Sequence, residues 1–345
     1  MNEYKDLKLT MAASPHIASP VRTRSLMLDV LVALTPALCM GTFFFGPRAL
    51  CLTAVSVLGC EIFEALSRIL MRRPAAGGDL SAAVTGVLLA FVCPVTIPYW
   101  TLLIGDFFAI VVVKQLFGGL GKNFLNPALA GRAFLSLSYL SEMETWVRPG
   151  TKYWLGLTAS ASDAVTAATP MADLQNGLLP WMGTSGSRLH DMFYGNVGGC
   201  IGEVSALALL FGGAYLILRG VIHPRIPVSC LGTVALLAAL FPQGGAAADW
   251  VLAQLLGGGL MLGALFMATD YVTSPCTPGG EWIFGIGCGL LTVFLRAFGA
   301  GAEGVGYAIL LMDLFVPMLD KYIRPKRYGA PKFRWKKARK GGGGL

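Results

Sequence analysis

The segment Leu26–Gly46, LMLDVLVALTPALCMGTFFFG, decides the fold class of this chain. Apolar residues fill it almost without interruption, and Asp29 is its one charged residue. As an α-helix it would be about 31 Å long, which matches the hydrocarbon core of a bilayer at about 30 Å. A helix that is apolar on all sides needs an apolar surrounding, so this segment predicts a membrane-spanning helix.

Similar apolar runs recur along the whole chain. Hydrophobic residues make up 55% of it and charged residues only 13%, whereas a soluble domain carries about a quarter charged residues. The predicted spans are 26–46, 49–70, 80–97, 99–117, 124–140, 196–218, 226–242, 250–269, 283–298 and 303–321. We therefore expect an all-α integral membrane protein with about ten transmembrane helices.

Basic residues predict the orientation of these helices. With a cytoplasmic N-terminus, every predicted cytoplasmic segment except 270–282 contains Lys or Arg, whereas the outer joints at 98, 243–249 and 299–302 contain none. Both termini are then cytoplasmic. The predicted regions are a cytoplasmic segment 1–25, a first membrane repeat 26–140, an outer loop 141–195, a second membrane repeat 196–321 and a basic tail 322–345.

The net charge of +8 does not indicate nucleic-acid binding, because the basic residues lie at chain ends and short joints without interleaved exposed aromatic residues. The basic tail is expected to contact anionic membrane lipid. The eight cysteines contain no C-x-x-C pair, so we interpret them as small buried hydrophobic residues.

The two halves of the chain resemble each other weakly. Pro94 recurs as Pro275, and Phe117 recurs as Phe298 with the same offset in residue number. Because each half has five spans, the second copy enters the membrane from the opposite side, which is the inverted-repeat arrangement of many transporters and channels. Helix-breaking stretches at 93–99 and 273–280 then correspond, and they predict a central binding site.

Several charged residues fall in or beside the spans, where an unpaired charge costs about 2.5–3.5 kcal/mol. Asp270, Asp29 and Glu203 are our candidates for a cation path, and Asp270 ranks first because TDYVTSP surrounds it with hydroxyl groups and a proline. The alternative is structural pairing of these carboxylates with cations or backbone groups. Both interpretations stay open at this stage.

The outer loop contains the sequence DAVTAATP at 163–170. From its residues alone it would be an ordinary turn or a helix start capped by Asp163. It is, however, similar to the flavinylation signature D-x-x-(S/T)-G-A-(T/S), whose last hydroxyl forms a phosphoester with FMN through a flavin transferase. Asp163, Thr166, Ala168 and Thr169 match this signature, and Ala167 replaces its usual glycine.

Further segments resemble the same family. They are SPHIASP at 14–20, GKNFLNPALAGRAFL at 121–135, FMATDYVTSP at 266–275 and EGVGYAILLMD at 303–313. Together they make the chain similar to the D subunit of the Rnf electron-transport complex and to its relative, the B subunit of the sodium-pumping NADH:quinone reductase. The resemblance covers effectively the whole membrane part.

The resemblance implies two inverted five-helix repeats with urea-channel-like architecture in a bacterial cytoplasmic membrane. It also implies covalent FMN on Thr169 and a role in relaying electrons between ferredoxin and NAD⁺, coupled to Na⁺ or H⁺ transport. The chain has no dinucleotide-type G-x-G-x-x-G and no cysteine cluster, so other Rnf subunits with flavin or iron–sulfur centres are the expected partners that bind donor and acceptor.

A second flavin, riboflavin, is implied within the membrane part. Asn123 and Asn126 are candidates for contacting it, because amides can meet both donors and acceptors of the ring. Capping of a helix by Asn126 before Pro127 is the alternative. Two rival functions use no flavin: a channel or facilitator for a small polar solute, and a structural membrane anchor of a redox complex.

Overall fold

The computed structural model of the protein describes residues 22–73, 78–147, 149, 185–242, 247–298 and 304–323. The extended regular elements in these ranges are all helices. The predicted flavinylation motif at 163–170 lies outside the described residues. So do most of the outer loop, the N-terminal segment before residue 22 and the basic tail.

The helices are numbered here in chain order. They are α1 (Thr23–Phe45), α2 (Pro47–Leu70), α3 (Ser81–Phe91), α4 (Tyr99–Phe107), α5 (Pro127–Ser138), α6 (Leu140–Met143), α7 (Ser185–Tyr194), α8 (Ala206–Leu218), α9 (Arg225–Leu240), α10 (Ala247–Leu256), α11 (Leu260–Leu262), α12 (Pro278–Phe298) and α13 (Val305–Tyr322). Two wider π-helical turns continue α4 and α11, over Phe108–Gln115 and Gly263–Met267.

Three of these helices, α1, α2 and α12, are long and apolar enough to cross a membrane, and a bent pair would make a fourth span. The outward-facing side chains are apolar: Leu70, Leu218 and Phe298 are each about four-fifths exposed or more. Charged side chains such as Asp106 and Lys114 are instead almost completely buried. Large exposed apolar side chains together with buried charged ones are typical of a multi-pass membrane protein.

Each half of the chain has one interruption in its helices near the middle. The helix α3 ends at Phe91 and α4 begins only at Tyr99, as the Pro94 signal predicts. The predicted span 250–269 is not one straight helix, because α10 and the segment Leu260–Met267 meet at 61°. Gly258 and Gly259 allow this bend through positive φ angles of 63° and 65°, which residues with a side chain rarely adopt.

Small residues bring the helices into close contact. A Cβ atom on Gly212 of α8 would overlap the carbonyl oxygen of Ala33 in α1. Likewise, a Cβ on Gly285 of α12 would overlap the Ser229 side chain of α9. Close backbone approach of this kind is typical of helices that pack in lipid, where dispersion contacts contribute much of the stability.

Candidate functional site at the broken helices

A cavity of about 60 Å³, here called the central cavity, is lined by residues from both halves of the chain. Its volume suffices for a few water molecules. The start of α3, the start of α5, the turn after Met267, and faces of α1 and α8 line it. Its polar lining residues are Ser81, Thr85, Lys114, Asn123, Asn126, Thr269, Asp270 and Tyr271. The sequence candidates Asn123, Asn126 and Asp270 therefore share one cavity.

The two asparagines of this cavity have different roles. Asn126 caps α5, since its Oδ1 accepts hydrogen bonds from the N–H groups of Ala128 at 3.1 Å and Leu129 at 3.4 Å. Its Nδ2 donates to the Met267 carbonyl at 3.1 Å, so its amide is engaged on both edges. Asn123 donates from Nδ2 to the Leu125 carbonyl at 3.2 Å, whereas its buried Oδ1 accepts no hydrogen bond. Asn123 thus offers the cavity an unpartnered acceptor.

Asp270 lines the cavity, and a second carboxyl group, that of Asp313, contacts the backbone of the lining residue Asn126. Asp270 lies in the turn that follows Met267, next to the other lining residues Thr269 and Tyr271. Asp313 of α13 accepts a hydrogen bond from the Asn126 N–H at 3.0 Å, and its other oxygen is buried without a partner. The two carboxylates are close enough to interact electrostatically. From the sequence, Asp313 was given no site role, although an acidic residue within an apolar run is a signal for a functional site.

A buried ion pair anchors the start of α3. The Lys114 ammonium donates to Glu64 Oε2 at 2.8 Å and to Ser81 Oγ at 2.7 Å, and only 2% of its side chain is exposed. Glu64 also pairs with Arg68 one helical turn away. Lys114 thus ties the π-helical turn after α4 to the first residue of α3.

Arg296 anchors the second broken region. From Nη1 it donates to the main-chain oxygen of Gln254 at 2.6 Å and to the same residue's Oε1 at 2.9 Å. From Nη2 it donates to the Gly257 carbonyl at 2.8 Å. These acceptors are at the end of α10, where the helix turns by 61°, so Arg296 satisfies carbonyl groups that the bend releases.

Two further arginines lie in the first turns of α2 and α9. Arg48 is 1% exposed, donates from Nε to the Val95 carbonyl at 2.8 Å and lies 5.4 Å from the centre of the Tyr99 ring. Arg225 forms a 2.8 Å ion pair with Glu281 in the first turn of α12. Arg48 therefore holds the non-helical stretch before α4, and Arg225 holds the first turn of α12.

The remaining cation-path candidates are paired. Asp29 accepts a hydrogen bond from the Tyr215 hydroxyl at 3.1 Å and forms an ion pair with Arg219 at 3.3 Å. Glu203 lies 3.7 Å from Arg132 and lines a smaller cavity that is distinct from the central one. Structural pairing, the alternative left open by the sequence, is thus present at both residues. Only Asp270 of the three lines the central cavity.

Together these features define a class: a polytopic helical membrane protein with two interrupted regions held by buried cations and with a polar cavity between its helices. Comparison with known proteins identifies the family. The chain belongs to the NQR2, RnfD, RnfE family, whose sequence model matches residues 10–329.

Relatives match over nearly their entire length. The D subunit of the Na⁺-translocating ferredoxin:NAD⁺ oxidoreductase complex of Acetobacterium woodii is 45% identical, over 97% of this chain and 98% of the relative. The D subunit of the proton-translocating ferredoxin:NAD⁺ oxidoreductase complex of Clostridium ljungdahlii is 39% identical, over 93% and 96%. The D subunit of the ion-translocating oxidoreductase complex of Stutzerimonas stutzeri is also 39% identical, over 88% and 91%. The predicted family resemblance is confirmed.

Proposed function

We propose that this chain is the D subunit of an Rnf-type ion-translocating ferredoxin:NAD⁺ oxidoreductase complex, and that it relays electrons in a bacterial cytoplasmic membrane. The observation that carries the proposal is the near full-length match to subunits with this name, at up to 45% identity among those compared. The chain acts with other membrane subunits and with subunits that hold flavin or iron–sulfur centres. Electron flow between ferredoxin and NAD⁺ is coupled to movement of Na⁺ or H⁺.

The electron carrier of this chain is an FMN joined by a phosphoester to Thr169. Support comes from the match of Asp163, Thr166, Ala168 and Thr169 to the flavinylation signature. A flavin transferase makes the bond, and the bound flavin supplies one- and two-electron chemistry while the protein sets its position and potential. A covalent tether suits the outer face of the membrane, where no cellular FMN pool would refill an empty site.

The membrane part consists of ten helices in two inverted five-helix repeats with urea-channel-like architecture. Matched contacts in the two halves support this layout. Arg48 and Arg296 each donate hydrogen bonds to carbonyl groups of an interrupted region. Lys114 and Arg225 each contact the first turn of a helix, α3 and α12 respectively. Both termini are cytoplasmic and the loop 141–195 is outside, in agreement with the distribution of basic residues.

The central cavity is the site for a second flavin, riboflavin. The unpartnered Oδ1 of Asn123 can accept a hydrogen bond from the ring, and the apolar side chains of Leu88 and Phe266 suit its faces. Asn126 would support the site by fixing the start of α5, because its own amide is engaged. At about 60 Å³ the cavity would have to widen on binding.

Asp270 is the best-placed of the carboxylates for a cation path, and Asp313 extends it inward. The cavity-lining carboxylate of Asp270 and the buried, unpartnered oxygen of Asp313 give a cation an incompletely satisfied acidic site. Asp29 and Glu203 act at other points along the path, where Arg219 and Arg132 neutralise them. A small shift of either arginine would free its carboxylate to bind the passing cation.

Flavin fluorescence of the denatured chain tests this function against its rivals. The wild-type chain, expressed with its flavin transferase, should fluoresce in the gel, and Thr169→Ala should not. Thr158→Ala, a hydroxyl loss in the same loop outside the motif, is the matched control and should fluoresce like the wild type. A non-fluorescent wild type would favour a solute channel or a structural anchor. Fluorescence that survives Thr169→Ala would remove the site assignment.

The orientation is tested by single-cysteine labelling in sealed cells. A membrane-impermeant maleimide should label a cysteine placed in loop 141–195 from outside and should label one in the tail 322–345 only after the membrane is opened. Equal access to both positions from outside would contradict the proposed topology.

A further inference from the structure

Asp106 of α4 is a buried carboxyl group that the proposed electron and cation paths do not use. Its exposed fraction is 0%. Ser56 Oγ of α2 lies 2.6 Å from its Oδ1, and Cys60 Sγ of the same helix lies 3.3 Å from that oxygen. Its other oxygen, Oδ2, has no hydrogen-bond partner. The residues described around it therefore provide two neutral groups at one carboxyl oxygen.

The number of available hydrogens constrains the protonation state of this group. Ser56 Oγ also lies 2.9 Å from the carbonyl oxygen of Gly86 in α3. A hydroxyl has one hydrogen to donate, and a carbonyl can only accept. If Asp106 were ionised, one of these two short oxygen–oxygen contacts would lack a hydrogen and would be repulsive. If Asp106 carries a proton on Oδ1, that proton is donated to Ser56 Oγ, and the hydroxyl donates to Gly86 in turn.

Electrostatics also favours the protonated carboxyl group of Asp106. An ionised carboxylate here would leave Oδ2 charged, buried and without a partner, which is costly in an apolar surrounding. A neutral acid leaves only an uncharged carbonyl oxygen at that place. The Ser56 hydroxyl and the Cys60 thiol, which contact its Oδ1, carry no positive charge, and the buried cation Lys114 is paired with Glu64.

The neighbouring face of α2 connects this carboxyl group to a charged cluster. Ser56, Cys60 and Glu64 follow each other at intervals of four residues, so they form one stripe along the helix. Glu64 is paired with Lys114 and with Arg68, whose side chain is 13% exposed at the end of the helix. The stripe thus leads from a partly solvent-accessible ion cluster to the buried acid.

We propose that Asp106 is a proton-binding site: its carboxyl group holds one proton on Oδ1, in a hydrogen bond to Ser56, and exchanges it past Cys60 with the Glu64 end of α2. The bound species is a proton alone. Binding converts the carboxylate to the carboxylic acid, and release passes the proton past Cys60 to the Glu64 carboxylate with no change in oxidation state. The site does not depend on flavin at Thr169, so either proposal can fail without the other.

Infrared spectroscopy of the full chain in lipid tests the protonation directly. The wild type should show the C=O stretching band of a protonated carboxyl group, and ¹³C-labelling of aspartate should shift it. Asp106→Asn should lose this band, while its amide can still donate to Ser56. Asp29→Asn, at a carboxylate paired with Arg219, is the matched control and should keep the band. Wild-type and Asp106→Asn spectra that coincide in this region would overturn the proposal.

A second variant and a solvent exchange complete the test. Ser56→Ala keeps the acid but removes its acceptor, so the band should move to higher wavenumber; a band unmoved by this change would contradict the hydrogen-bond chain, even if Asp106→Asn failed to fold. In deuterated buffer the wild-type band should shift to lower wavenumber during enzymatic turnover of the whole complex. A band that belongs to Asp106 but never shifts would overturn the exchange with Glu64.

Discussion

Replacement of Arg296 by Met tests whether buried cations hold the interrupted regions. The side chain keeps much of its length, but the hydrogen bonds to Gln254 and Gly257, and a longer one to Gly258 at 3.4 Å, disappear. Polar contacts inside membrane proteins contribute about 0.6 kcal/mol on average and up to about 1.7 kcal/mol. Bonds from a charged donor lie at the upper end of such ranges. The three shorter bonds at about 1.5 kcal/mol each, with a small contribution from the longer one, therefore give about 5 kcal/mol.

Part of this loss is offset, because the variant no longer buries a positive charge. We expect a net decrease of about 2–3 kcal/mol in the free energy of unfolding. The stability of Arg296→Lys should fall between those of the wild type and Arg296→Met, since an ammonium group lacks the arginine's fork geometry and cannot reach both Gln254 and Gly257. Phe294→Leu is the control on the same helix, because the Phe294 side chain is 54% exposed on the lipid-facing surface.

The assay is reversible unfolding in mixed detergent micelles, followed by circular dichroism. Hydrogen exchange of the amides in α10 and α11 reports the local effect, which should be concentrated at the bend. An Arg296→Met protein within about 0.5 kcal/mol of the wild type would refute the reasoning, as that is the scatter of neutral surface changes. Equal stability of the Lys and Met variants would show that the charge and its bonds are unimportant.

Two further predictions concern helix packing and a thiol. Gly212→Ala should destabilise the protein by about 1–3 kcal/mol in the same unfolding assay, since the new methyl group would overlap the Ala33 carbonyl, whereas Gly232→Ala, with open space around it, should be neutral or slightly stabilising. The Asp320 carboxylate raises the pKa of the exposed Cys276 thiol, so less thiolate is present at neutral pH. Asp320→Asn should therefore accelerate alkylation of Cys276 at neutral pH, measured by peptide mass spectrometry. The difference in rate should vanish at a pH high enough to ionise Cys276 fully in both proteins. Equal rates at neutral pH would contradict the prediction.

The apolar runs predicted the membrane class and the positions of most helices, because the length of an apolar segment is directly related to bilayer thickness. The interruption after α3 was also predictable, since Pro94 cannot continue the helix. The bend between α10 and α11 was missed. Glycine is frequent in membrane helices, so Gly258 and Gly259 could as well have belonged to a continuous span.

The site was predicted in part. Asn123, Asn126 and Asp270 were recognised from local sequence, and the structure places them around one cavity. The capping role of Asn126 could not be separated from ligand binding by sequence, as the same amide suits both. Asp313 was missed as a site residue because its contact with Asn126 joins positions 187 residues apart. Such a partner cannot be identified from spacing within one segment.

The most direct test of the central claim is the intact mass of the chain, purified from cells that also contain its flavin transferase. The account predicts a mass increase equal to one FMN less one water, as a phosphoester requires, and its complete absence in Thr169→Ala. Thr158→Ala should carry the same adduct as the wild type. An unmodified wild-type mass, or an adduct that persists in Thr169→Ala, would contradict the account.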